Sequence, residues 1–146
     1  LAHFPAGENE HLAVQWLWSG STGVFSHETA LALHELSDVL PAMAHMTVPG
    51  SWEQRRLNVP AGLVLHFGDV PKRDRVWHGS IPVTTPARTL RDCAAVHVSP
   101  ELVERALDDG LLRGLFTVED AGPAAEDIGD RLRMPTDTGA RRDGGE

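Results

Sequence analysis

His27 and Glu28 open a segment that begins like the H-E-x-x-H helix of zinc hydrolases. In that motif the second histidine follows four residues after the first, so both rings reach one metal from the same helix face. Here the next histidine is His34, seven residues on. At about 1.5 Å of rise per residue the two would lie roughly 10 Å apart along a helix, too far to share an ion. The spacing therefore predicts no metal site. Ser26 precedes His27, but a serine at a nucleophile elbow needs the surrounding G-x-S-x-G, which this chain lacks. It also lacks a Walker-type loop and a G-x-G-x-x-G turn, so no motif supports nucleotide binding. Lys72 stands in a D-x-x-K setting, a poor match to the carboxylate-x-lysine pattern of restriction-type nucleases. Cys93 sits among apolar helical positions and reads as a small core side chain rather than a reactive thiol. No catalytic residue and no cofactor is expected, and the chain is not read as an enzyme.

The basic side chains fall into two groups. Arg55 and Arg56 follow Trp52 in a loop, and Lys72, Arg73 and Arg75 form a second group. A loop that joins cations to an aromatic ring can meet phosphate or an acidic protein, so Trp52, Arg55, Arg56, Arg73 and Arg75 are candidate contacts to nucleic acid or a protein partner. The same residues also suit a solvated loop. Arg88 and Asp92 stand four apart on one predicted helix and form a candidate internal ion pair, with Arg88 tying the helix start to a neighbouring strand.

These residues must be positioned by regular elements. Paired apolar residues such as Leu12 and Trp16 predict a first helix over 10–18. Ser26 as N-cap, Glu28 in the first turn, and Ala30, Leu33 and either Leu36 or Leu40 as an apolar stripe predict a second over 27–37. Short runs at 44–48, 62–67, 76–78 and 81–84 predict strands, the last two joined by a hairpin at Gly79-Ser80. Pro82 moves one of that pair towards a sheet edge. Thr85-Pro86 and Ser99-Pro100 each combine a capping hydroxyl with a proline at the first helical position, predicting two more helices. On the first of these, Ala87, Leu90, Ala94 and His97 follow helical spacing. Gly114 closes the second, and Thr117 to Asp120 resembles a capping box that starts a last short helix. The expected fold class is α/β in the mixed α+β sense: a small mixed sheet of three to five strands flanked by helices. Residues 1–125 are read as one domain and 126–146 as a disordered tail.

Composition limits the partners. The net charge is −8, and residues 101–146 carry 12 acidic against 6 basic side chains. Such a chain repels phosphate backbones unless it segregates a basic patch. No apolar run approaches the roughly 18 residues of a membrane span. A single cysteine leaves no internal disulfide and permits a reducing cytoplasm, the expected location.

Two stretches are informative together: G-V-F-S-H-E-T-A-L-A-L-H-E-L at 23–36 and I-P-V-T-T-P-A-R-T-L-R-D-C-A at 81–94. With M-T-V-P at 46–49 and E-R-A-L-D-D-G-L-L-R-G-L at 104–115, the chain resembles the AbiEi family of bacterial antitoxins and transcriptional regulators over roughly residues 8–125. Ser26, His27, Thr29 and Ala30 match one signature of the family; Thr84, Pro86, Arg88, Thr89 and Asp92 match the other. The resemblance implies the body of a non-enzymatic antitoxin that counteracts a nucleotidyltransferase-type toxin, without a stable complex in the best-known type. It also implies repression of its own operon when the body is joined to a winged-helix head. Nothing resembling that head precedes Leu1, so a fragment or a displaced start is expected, and operator DNA is a partner only where the head is present. Both signatures stand at predicted helix starts, where capping and helix–sheet anchoring explain them without any ligand. The alternatives are a stand-alone nucleic-acid-binding module, which requires one basic face built from Arg55, Arg56, Arg73 and Arg75, and a truncated remnant without function.

Overall fold

Pro49-Gly50, Gly68 and Gly79-Ser80 divide the middle of the chain into short extended runs, and these become the strands of one sheet. The computed structural model describes residues 6–122. The chain enters through α1 (Ala6–Trp18), β1 (Val24–Phe25) and α2 (His27–Leu33), then forms β2 (Ala44–Val48) and β3 (Leu63–Phe67). The hairpin β4 (Arg75–His78) and β5 (Ile81–Thr84) follows, then α3 (Pro86–Ala95) and α4 (Pro100–Leu112). Single 3-10 turns occupy Gly50–Gln54 and Lys72–Asp74, and residues 118–122 are helical. The fold is mixed α+β, with a five-stranded sheet ordered β3-β2-β1-β5-β4. β2 runs parallel to β3 and β1 parallel to β5, whereas β1–β2 and β4–β5 are antiparallel.

The central strand β1 has two residues and no alternation long enough to read from sequence, which is why it was not anticipated. Its side chains are wholly internal: Phe25 is fully buried beside Met46 and Val83, its register partners on either side. The edge of the hairpin side is β4; Pro82 sits in β5, an inner strand, where β1 bridges only at Val83.

Two apolar cores hold the layers. In one, the sheet residues Phe25, Met46, Val48 and Val83 pack with Leu12 of α1 and with Ala30 and Leu33 of α2. The other lies among the helices: Leu31, Leu90, Cys93, Val103 and Ala106 come from α2, α3 and α4, and Leu36 and Phe116 from the segments that follow α2 and α4. α2 contributes to both, so it is the element through which the sheet and the helical layer are joined.

The second helix stops at Leu33 rather than running to residue 37. Glu35 turns left-handed (φ 58°). Glu35 N–H then donates to the Ala32 carbonyl (3.0 Å) and Leu36 N–H to the Leu31 carbonyl (2.8 Å), the two bonds of a Schellman end. Leu36 and Leu31 share one core, the apolar contact that accompanies this motif. The same bond pair recurs after α3, with His97 left-handed and Val98 bonded to Cys93, so His97 lies beyond the helix rather than on it. It recurs again after α4, where Gly114 takes the left-handed position. At the helix starts, Thr85 caps α3 by accepting from Arg88 N–H (3.3 Å). Ser99 does not cap α4, because its hydroxyl donates to the Glu101 carboxylate (3.0 Å) instead. Thr117 and Asp120 exchange the two bonds of a capping box. The tail expected over 126–146 lies outside the described residues.

Candidate functional site

Ser26 leaves β1 and turns the chain into α2. Its backbone is extended (φ −147°, ψ −178°), as an N-cap requires, but its side chain caps nothing. The hydroxyl is instead hydrogen-bonded to Thr47 Oγ1 and to His27 Nδ1, both at 2.7 Å. The reason is the sheet: β2 lies next to β1, so Thr47 arrives beside Ser26 and takes the hydroxyl that would have capped the helix. Thr29 performs a related task. Its Oγ1 accepts from His45 N–H (2.8 Å) and fastens α2 to β2.

His27 has φ 57°, a left-handed backbone that L-residues adopt at a cost of about 1–2 kcal/mol. Its ring stacks on that of His66 at 3.7 Å between centroids, with 15° between the planes. His66 Nε2 is in turn 3.0 Å from His45 Nδ1, and His45 Nε2 lies 3.6 Å from the Glu28 carboxylate. Three imidazoles from α2, β2 and β3 thus form one chain of contacts. Burial, reinforced by His66 and His45, lowers His27 to about 3. Burial and His45 lower His66 to about 4. Burial also lowers His45, although Glu28 pulls the other way. All three rings are therefore neutral near neutral pH. His34 goes elsewhere: its Nε2 donates to the Thr84 carbonyl (2.7 Å).

The second signature forms a polar clamp. Arg88 Nε donates to Asp92 Oδ1 (2.9 Å), Nη1 to Asp74 Oδ2 (3.0 Å) and Nη2 to the Asp69 carbonyl (3.1 Å). One guanidinium thereby ties the start of α3 to the segment that leads into β4. Burial works against the charge of Arg88, but the bonds to Asp92 and Asp74 outweigh it and raise its pKa. Asp92 bears the cost: burial raises its pKa despite Arg88, and its second oxygen is buried without a partner. Thr84 and Thr89 share a hydroxyl–hydroxyl bond of 2.6 Å, both fully buried, and Pro86 occupies the first helical position of α3. Ala30 is packed into the sheet core.

The two signatures, distant in sequence, meet across the contact between α2 and α3. His27, Thr47, Glu53, His66, Arg88 and Asp92 line one open groove of ≈ 380 Å³. A second groove of ≈ 570 Å³ adjoins it, because Thr47 and Gly68 line both. Arg73 and Arg75 face this second groove with Ser21, Thr22 and Asp69.

The chain matches no family model and no curated protein.

Ser26, though bonded to a histidine, is fully buried, so its hydroxyl has no access to a substrate. Cys93 is buried too, and burial with the charges of Asp92 and Glu28 pushes its thiol far above the ordinary range. Among the described residues no group of three or more histidine, cysteine or acidic side chains is arranged to hold a metal ion. The grooves offer neutral imidazoles, a clamped arginine and two further arginines.

The sequence-derived contact residues have different surroundings. Arg55 lies over the Trp52 ring at 4.6 Å, with Trp52 packed against the sheet core, and Arg56 is exposed. Arg73 and Arg75 line the larger groove, whose described lining includes neither Arg55 nor Arg56. Of the four arginines, Arg73 and Arg75 line that groove, and Arg55 and Arg56 do not. Sequence reasoning missed His45 and His66. The signal was present, since period-two alternation puts His45 and Thr47 on one face of β2 and His66 pairs opposite Thr47. It became usable only once β2 and β3 were known to pair in parallel.

Proposed function

We propose that this chain is the body of an AbiEi-type antitoxin and regulator, a non-enzymatic module that counteracts a nucleotidyltransferase-type toxin. One observation carries the reading: the two stretches that resemble the family converge on the α2–α3 junction, where their side chains engage one another's surroundings. Thr29 fastens α2 to β2, and Arg88 clamps Asp92 and Asp74. Thr84 is bonded to both Thr89 and His34. That two segments resembling one family build a single junction supports the reading. The buried state of Ser26 and Cys93 favours binding over nucleophilic chemistry. No helix of the described residues is long and apolar enough to cross a membrane. Operator binding belongs to the winged-helix head where one is joined to this body.

Mapping the transcript that carries this gene tests the proposal. The expected result is a nucleotidyltransferase reading frame on the same transcript. A transcript that encodes no such protein, in a genome where none pairs with this gene, would remove the toxin from the account.

A further inference from the structure

We propose that the two adjoining grooves beside β2 and β3 form a binding site for a nucleoside phosphate. The phosphate end is the larger groove. Arg73 and Arg75 are exposed there, and neither forms an ion pair with any described residue. A guanidinium presents a planar fork that matches two phosphate oxygens, and a pair of them defines a phosphoryl position. The hydroxyl residues Ser21 and Thr22 lie in the same lining and suit a phosphate or sugar oxygen. Asp69 is the one carboxylate residue among the lining residues of that groove, so two cations face one anion.

The base end is the smaller groove, which continues from the first across Thr47 and Gly68. Phe67 and His66, adjacent in β3, both line it, and Phe67 is 40 % exposed although it is a large apolar ring. Exposed aromatic faces beside a cationic groove are how proteins stack bases, and they accept any base because every base has a π-face. Glu53 adds an acceptor for an exocyclic amine. Each groove falls within the ~300–1,000 Å³ of small-ligand sites. The familiar phosphate-binding loops cradle the anion with backbone N–H groups and announce themselves in sequence. This site uses arginine side chains and strand ends that only the folded sheet brings together, so no motif marks it. The ligand has two possible sources, a free nucleotide or one residue of a single strand. The net charge of −8 opposes a long phosphate backbone and favours the free nucleotide.

Isothermal titration of the full chain with AMP, GMP, inorganic phosphate and a short deoxythymidine oligonucleotide tests the site. Saturable binding of AMP or GMP, tighter than that of inorganic phosphate, is expected. The double variant Arg73→Ala/Arg75→Ala should lose at least about tenfold in affinity for every probe. Phe67→Ala should lose roughly fivefold for the nucleotides and nothing for phosphate. All three side chains are exposed, so the variants should unfold at the parent's temperature, which thermal melting checks. An oligonucleotide that binds more tightly than AMP, with the same losses in both variants, supports the site and assigns it to a strand. Three results overturn the proposal: no saturable binding of any probe up to millimolar concentration, phosphate binding as tight as AMP, or affinities that ignore both variants. The site does not depend on the antitoxin reading, and its loss would leave that reading untouched.

Discussion

Arg88 shows how one side chain can organise a junction. Three of its N–H groups are directed at Asp92, Asp74 and the Asp69 carbonyl, and its side chain is only 17 % exposed. Removing one partner of a buried pair leaves the others charged and unsatisfied. Arg88→Ala is therefore expected to destabilise the chain by about 3 kcal/mol in urea unfolding. Arg88→Lys should recover little, because an ammonium cannot reproduce the forked geometry. An effect below about 1 kcal/mol for alanine would show that the clamp is a solvated surface pair. The histidine stack makes a second residue-level prediction. His27 and His66 are lowered in the folded chain to about 3 and about 4, whereas the unfolded chain protonates near the ordinary value of 6.5. As pH falls below that value the unfolded state binds more protons, so stability must fall. The stabilisation is complete above about pH 6.5 and is lost progressively on the way down to the folded values. His27, nearly fully buried, alone contributes a slope approaching about 1.4 kcal/mol per pH unit well below pH 6.5. Asp92, raised by burial, acts in the opposite sense at the acid end, since it takes up its proton more readily when folded. Urea midpoints of the parent and of His27→Asn between pH 7 and 5 measure the difference, and a parent curve as flat as that of the variant would contradict the stack.

At the scale of elements, the helices end by a common device, and its residues were only partly readable. Gly114 was identifiable as a cap because glycine is the usual left-handed residue there. Glu35 and His97 occupy equivalent positions without glycine's freedom, so the sequence suggested a longer second helix and a longer third. Glu35→Gly is expected to raise stability by up to about 1 kcal/mol, less the extra entropy of the unfolded chain. The bonds that the Arg113 guanidinium donates to the carbonyls of His34 and Glu35 do not use the replaced side chain and should persist. Gly110 predicts the opposite. Glycine within a helix ordinarily costs about 1 kcal/mol relative to alanine. Here a Cβ would collide with the ring of Phe116, which closes the helical core over α4. Gly110→Ala should therefore destabilise, by about 1–3 kcal/mol, rather than stabilise. A rise in the unfolding midpoint would mean that Phe116 moves aside freely.

For the whole molecule, the elements were legible and their assembly was not. Four strands and five helices follow from alternation, turn residues and caps such as Thr85-Pro86 and the box at Thr117, because these signals are local. The two-residue β1 was not legible, since its place at the centre of the sheet depends on partners far along the chain. The candidate site shares this limit. His27, Arg88 and Asp92 were singled out from their motifs, but His45, His66 and the shared groove exist only after β2 and β3 pair in parallel. The short crossover between those strands contains no helix-length pattern that would have announced it. Arg73 and Arg75 stand out as cations in the sequence, but the groove that they line exists only in the folded chain. The proposed role as a protective binding body is tested most directly by growth rescue. A nucleotidyltransferase encoded on the same transcript, where mapping finds one, would be induced in cells that carry, or lack, the longest natural reading frame containing this chain. The account predicts arrested growth without the chain, recovery with it, and loss of recovery when the junction is broken by Arg88→Ala. Arrest that persists at full expression of a folded protein would contradict it.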